Sequence, residues 1–369
     1  MPRLKHFFNP DFDHEHLTPA QKEDGSVDFY NIGYVQSVVK GQILAQWEDD
    51  DNGEISSEYR SYPEKKFPKG PNTTSNPENS EQLIADRNGY VFYNDDGLIT
   101  VKELLNIRGN AGLKTGNIFF VGNMVVHGSI KSGLEIRAYN INVKGIIEQA
   151  NVNAGGFLKC DGGIKGHGEA YIETKKSLRT KFCENATLVS GKNIIIDNSC
   201  MQSKIYCEGK LAIKGRLCGG PCYSNQYIYV EEQLGGGLST PAQLIVGYSP
   251  LMLLQIDKIS EQIDELTKQI TGYSGKLSNG SSAAVEYKDK IDKCEVKRSY
   301  LKNKKKQLWN KLEQTSKLET CRVMVPGIVK VGVEISIGQA FLQVNEPLKN
   351  VFFYYENYQI KVGSPALRK

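Results

Sequence analysis

The sequence has no run of about 18 apolar residues, so no segment is expected to cross a bilayer as a helix. Its opening stretch, Met1 to Pro10, lacks the apolar centre of an export signal. Net charge is only +4, too small to argue for nucleic acid by itself. No glycine cluster, Lys69-Gly70-Pro71 included, matches a phosphate-binding loop. Eight cysteines in a chain without an export signal read as reduced thiols, so the expected location is the cytoplasm.

Glycine is the abundant residue. Its 36 copies lie mostly between residues 88 and 237, without a collagen triplet, and so punctuate many tight turns. The same stretch repeats itself. Seven units begin at Ile118, Ile136, Val152, Ile172, Leu188, Ile205 and Cys222, at nearly even spacing, with the longest step before Ile172. Five carry an apolar residue, a small one two positions on, then two more apolar or small residues, as in Val152/Ala154/Leu158/Cys160 and Leu188/Ser190/Ile194/Ile196. Ile118/Phe120/Met124/Val126 has a large residue in the small place, and Ile136/Ala138/Ile141/Val143 fits with one residue deleted. Alternation of period two within each half means short strands buried on one face. A repeat of roughly 17 residues is too short for a strand plus a helix and suits one coil of a parallel β-helix solenoid, expected to be right-handed.

Two further columns test this register. One residue beyond the last core position stand His127, Lys144, Asp161, Lys181, Asp197, Lys214 and Glu231, alternating in sign from Lys144 onward. Stacked coils would bring successive members within about 4.8 Å, giving a structural charge ladder of Lys144, Asp161, Lys181, Asp197, Lys214 and Glu231. Four residues beyond the core position stand Ile130, Ile147, Ile164, Glu184, Cys200, Leu217 and Leu234, a third buried strand. Glu184 breaks that column, and Phe182 is expected to fill its place.

The text then changes period. Ile256, Ile259, Ile263, Leu266 and Ile270 step by 3 and 4, a coiled-coil seam. Gly272 to Ser282 reads as a break, after which Tyr287, Ile291, Cys294, Leu301, Leu308 and Leu312 continue a seam interrupted by Arg298 and Lys305. Two helices and a short break imply an antiparallel hairpin, the first helix about 30 Å long and the second nearer about 50 Å. Alternation returns after Thr320, so the hairpin reads as an insertion and the last strands, with Phe352 to Tyr355 and Tyr358, as a cap. Before the repeat, Val27 to Trp47 reads as strand, Glu48 to Ser80 as a long surface loop, and Leu83–Tyr93 and Leu98–Ile107 as short apolar runs. The expected organisation is a small N-terminal domain with an irregular linker (1–108), the β-helix (109–248), the hairpin (249–320) and capping strands (321–369).

An ordered series of motifs between Lys69 and Ser364 resembles the flagellar assembly protein A family. Lys69-Gly70-Pro71 and Ala85-Asp86-Arg87-Asn88-Gly89 resemble motifs of its first domain, and Thr115-Gly116-Asn117-Ile118 and Val126-His127-Gly128-Ser129-Ile130 the start of its β-helix. Lys144-Gly145-Ile146-Ile147-Glu148-Gln149-Ala150, Gly162-Gly163-Ile164-Lys165-Gly166, Phe182-Cys183-Glu184-Asn185-Ala186 and Val325-Pro326-Gly327 follow in order. The stretch from Met1 to Pro68 does not align with the family pattern, and Ala138-Tyr139-Asn140 stands where the family has Ala-Gly-Gly-Asp corners. The resemblance implies a β-helix with a coiled-coil insertion, a role in flagellar assembly or polar organisation, and no catalytic residues.

Other chemistries fit the residues less well. A β-helix glycosidase needs clustered acids, but Asp161, Asp197 and Glu231 are separated by Lys181 and Lys214, which lower carboxylate pKa where a general acid needs it raised. A hexapeptide-type acyltransferase needs a catalytic histidine, for which only His127 and His167 are candidates in the repeat, both at surface or corner positions. Cys218 and Cys222, with Cys200 and Cys207, could be a metal set, yet Cys160, Cys200, Cys207 and Cys222 fall in core columns beside Ser, Thr and Ala. His14-Glu15-His16 has no helix or nearby ligand to complete a site. The reading is therefore a non-catalytic cytoplasmic scaffold without cofactor or metal, binding protein partners or a second copy through Ile256, Ile259, Ile263 and Leu266. A second reading is a self-assembling filament of stacked β-helices, as in bactofilins. A third is a carbohydrate-active enzyme.

Overall fold

The computed structural model describes residues 2–14, 16–21, 27–48, 57–237, 240–278, 284–314 and 318–365. Two compact units divide the chain, residues 1–190 with 195–203 and residues 191–194 with 204–369. The fold is mainly β, a parallel solenoid of about eight turns with two contacting helices and a small N-terminal sheet domain.

In the first unit the N-terminal strands form an antiparallel sheet in the order Tyr59–Ser61, Arg3–His6, Ile43–Glu48, Gln82–Ala85, Thr73–Ser75. Ile99–Lys102, Gly89–Tyr93 and Ser37–Val38 make a second, three-stranded sheet. Leu4, Leu44, Trp47, Leu83, Val91 and Val101 share one buried core between them. The region expected to be a long loop thus supplies two strands, Tyr59–Ser61 at one edge of the sheet and Thr73–Ser75 at the other. Its residues 49–56 lie outside the described residues. The polar composition of these strands hides them, because an edge strand needs backbone pairing but little apolar surface.

The solenoid ladder of this unit opens with Leu104–Ile107, which pairs in parallel with Asn123–Val126. Ile118, Ile136, Val152, Ile172 and Leu188 then stack in register, as do Met124, Ile141, Leu158 and Leu178. All are buried, and the small residues Ala154, Thr174 and Ser190 stack beside them. The long spacing before Ile172 has a local cause. The register shifts between Lys165 and Ala170, and the residues in between bulge out with His167 and Gly168 at positive φ.

The third column holds a correction. Ile130, Ile147 and Ile164 stack as expected, but the next member is Cys183, paired with Ile164 below and Cys200 above. The turn after Thr180 is one residue shorter than the turn after Cys160, so neither Glu184 nor Phe182 takes the place. The Phe182 ring lies instead over Gly163, whose φ of +106° and missing Cβ leave room for it.

In the second unit Ile205, Cys222, Leu244 and Ile335 stack in one column and Leu211, Ile228 and Val323 in another. Leu217, Leu234 and Val329 form the third. The last strands turn antiparallel. Ala340–Gln343 pairs with Glu334–Ile337, Leu348–Glu356 with Arg322–Val329, and Gln359–Gly363 with Leu348–Glu356. Phe353 is fully buried in that arrangement, whereas Tyr358 is exposed.

Helices α1 (Pro250–Ser278) and α2 (Ala284–Gln314) interrupt the coil between Val246 and Arg322. Gly247 donates its N–H to the Asn225 carbonyl at 3.0 Å, and Arg322 donates to that of Gln226 at 2.9 Å. The pairing puts Gly247 over Asn225 and Cys321 over Gln226, so residues 248–320 are spliced into one corner. The first helix runs through Gly272 and Gly275, where a break was expected, making the helices 29 and 31 residues long. Both glycines sit in open space, and Tyr273 stacks on Tyr287 of the other helix at 6.0 Å, which offsets part of the about 1 kcal/mol of helix propensity lost at each glycine.

Candidate interaction surface on the helical hairpin

The start of α1 is fixed by polar contacts to the strand beneath it. Ser249 stands at the N-cap, with Pro250 at the first helical position where a missing N–H costs nothing. The Glu208 carboxylate accepts from the Ser249 hydroxyl at 3.0 Å and from the Leu251 N–H at 3.2 Å, a negative charge placed at a helix N-terminus. Two turns on, Asp257 accepts from the Tyr206 hydroxyl at 2.8 Å and lies 3.5 Å from the Lys204 ammonium. Tyr206 is fully buried and stacked on Tyr223 at 4.7 Å with the rings nearly parallel. Burial, then the Asp257 carboxylate, push the Tyr206 phenol well above its ordinary pKa, so it stays a donor.

The seam residues are where the periodicity put them, but they face inward. Ile259, Leu266 and Leu301 form one buried cluster with Ile263, Cys294 and Leu308 packed against it. Ile256 and Ile270 are also buried. Of the four expected partner contacts, Ile256, Ile259 and Leu266 are therefore covered within the chain, and Ile263 is partly so. The reason is arithmetic. Each helix offers a single apolar stripe, and two antiparallel helices satisfy each other's.

The most exposed apolar groups of the two helices are on the opposite face of α2. Val285 is 86% exposed, Val296 73% and Tyr300 64%. Val296 and Tyr300, with Asp292, Lys293 and Lys297, line a shallow depression. None belongs to the seam, and three apolar residues amid lysines and aspartates give little periodic signal. Spacings of 11 and 4 positions from Val285 to Val296 to Tyr300 were the available clue, since both bring side chains to one helix face.

The charged column keeps its backbone register. The N–H groups of Lys144, Asp161, Lys181 and Asp197 donate to the carbonyls of Val126, Val143, Cys160 and Thr180, and Glu231 to Ile213 in the other unit, one coil on from Lys214. The ion pairs are more mixed than strict alternation. Lys144 reaches Asp161 at 3.0 Å, but Asp161 is also held by Lys159 at 2.7 Å, and Asp197 is gripped by Arg179 at 2.8 Å. Strand residues two positions away compete with column neighbours because a lysine or arginine stem spans that distance. Lys181 lines a small cavity with Asp161 and Asp197. Hydrogen bonding from Lys159, then Lys144, holds Asp161 below the usual carboxylate range, the reverse of what a general acid needs.

The remaining candidates do not assemble. His127 and His167 are exposed, the latter in the bulge, and His16 pairs with Asp13 at 2.6 Å. All eight cysteines are free, and burial pushes the Cys207 thiol up to about 12 and the Cys160 thiol upward, against the thiolate a metal requires. Among the described residues no three His, Cys, Asp or Glu side chains are grouped to hold a metal, and no helix is long and apolar enough to cross a membrane.

Residues 103–360 match the family model of the Flagellar Assembly Protein A beta solenoid domain. The chain belongs to the Flagellar Assembly Protein A family. Residues 5–96 match the N-terminal region of the same family, so most of the stretch from Met1 to Pro68, which shows no recognisable motif, is family sequence too. Membership carries a flagellar-assembly-related function. No curated protein and no solved structure matches the chain.

Proposed function

We propose that this Flagellar Assembly Protein A member is a cytoplasmic, non-catalytic scaffold that acts by protein–protein binding in flagellar assembly or polar organisation. The solenoid sets geometry, the hairpin is the recruiting arm, and the N-terminal domain adds a second contact. One observation carries the reading. The insertion at a solenoid corner, residues 248–320, adds no residue to the stacked columns, yet presents on α2 an apolar and charged face to solvent. A paired seam inside the hairpin makes that face rigid, which lowers the entropy lost on binding.

The test is a deletion of residues 248–320, joining Gly247 to Cys321 so that the corner matches Asn225-Gln226 of the coil below. The shortened chain is expected to fold as a solenoid and to lose partners that co-purify with the full chain from cell extract. Unchanged partners in the folded deletion would overturn the assignment of the hairpin. Growth of filaments with concentration would favour the stacked-filament reading.

A further inference from the structure

We infer that the recruiting face of α2 binds the same face of a second copy of this chain, in antiparallel orientation about a two-fold axis between Val296 and Tyr300. The inference deepens the scaffold reading and rests on the hairpin being the interaction arm.

Charge distribution on α2 chooses the occupant. Between Glu286 and Glu295 the helix carries four acids and three bases, whereas between Lys297 and Lys311 it carries seven bases and no acid. One helix therefore has a mixed, slightly acidic half and a strongly basic half. Parallel pairing with a copy would set basic half on basic half. Antiparallel pairing sets each basic half against the other copy's acids and is the only self-pairing that avoids the repulsion.

The register follows from the exposed groups. On a helix of about 3.6 residues per turn, Val285, Val296 and Tyr300 share the face opposite the seam, with Asp292 and Lys304 flanking the centre on either side. Centring the axis between Val296 and Tyr300 lays each valine on the other copy's tyrosine ring. The same axis brings Asp292 to Lys304 of the copy, and Asp289 to Gln307. Among the described residues neither Asp292 nor Lys304 makes an ion pair, while Asp289 is already held by Lys293 at 2.6 Å. Asp292 and Lys304 are thus the charges available to set the register. A small apolar centre rimmed by charge pairs is the anatomy of a protein interface.

The experiment is sedimentation velocity of the full chain across a wide concentration range. Wild type is expected to show a monomer–dimer equilibrium. Val296→Asp and, separately, Tyr300→Asp should weaken it by about tenfold or more, because each buries a charge at the centre. Both positions are solvent-exposed in a single chain, so thermal melting at concentrations where wild type is monomeric should be unchanged. Asp292→Lys should weaken the dimer, and adding Lys304→Asp to it should restore the dimer. A monomeric wild type at every concentration overturns the inference, as does a dimer indifferent to both aspartates or a charge swap that fails to rescue. A monomer that still loses co-purifying proteins on deletion of 248–320 overturns the self-pairing alone. A dimer in a chain whose hairpin captures nothing else leaves the pairing standing and overturns the wider recruiting role.

Discussion

Replacing Asp257 with alanine removes the acceptor that holds α1 to the solenoid strand Lys204–Cys207. The Tyr206 hydroxyl then loses its partner at 2.8 Å, in a side chain that is fully buried. An unsatisfied buried hydroxyl costs about 1–3 kcal/mol. The Lys204 contact, at 3.5 Å with both side chains more than a third exposed, adds no more than about 0.5 kcal/mol. Asp257→Ala should therefore lose about 1–3 kcal/mol in chemical denaturation, and amide exchange should quicken at the start of α1 and in Lys204–Cys207. Tyr206→Phe leaves the carboxylate partly hydrated and should cost less, about 0.5–1.5 kcal/mol. The double variant should cost less than Asp257→Ala alone, because removing the hydroxyl as well leaves no buried group without a partner. Additive losses, or an Asp257→Ala chain as stable as wild type, would refute the reasoning.

Three further outcomes follow from the same geometry. Leu301→Ala, in the centre of the α1–α2 cluster, should loosen the helices by about 2–4 kcal/mol, seen as lost helical circular dichroism at lower temperature while the solenoid signal persists. Gly327→Ala should destabilise the second unit by about 3 kcal/mol or more in chemical denaturation, or prevent folding, since a methyl there would collide with the Glu232 backbone carbonyl. His6 is buried, with its ring nitrogens hydrogen-bonded to the Glu58 carbonyl and the Tyr93 hydroxyl, and burial lowers its pKa from 6.5. Because the folded-state value lies below the unfolded one, its contribution is full above pH 6.5 and is lost as pH falls through the lower folded value. The acid limb of the N-terminal sheets' melting profile should flatten in His6→Gln, and an unchanged limb would contradict the assignment.

The solenoid was legible because stacking forces a residue to resemble its vertical neighbours, so Ile136, Val152 and Ile172 declare themselves as one column. What escaped were changes of turn length. A turn shortened by one residue put Cys183 where Glu184 was counted, and a bulge after Lys165 absorbed the extra residues of one coil. The hairpin was legible from its seam, but a seam says only that something covers it. Here the second helix does, so Ile256, Ile259 and Leu266 are occupied. The exposed face at Val296 and Tyr300 left only its spacing from Val285 in the sequence, because exposure is a property of the packed hairpin. The N-terminal sheets were only half legible, since Tyr59–Ser61 and Thr73–Ser75 owe their strand state to pairing with distant partners.

The most direct test is complementation of flagellar assembly in cells lacking this protein, using the chain without residues 248–320. With the solenoid shown folded by circular dichroism and melting, the account predicts that flagella are not restored, whereas the full chain restores them. Normal flagella from the shortened chain would contradict it.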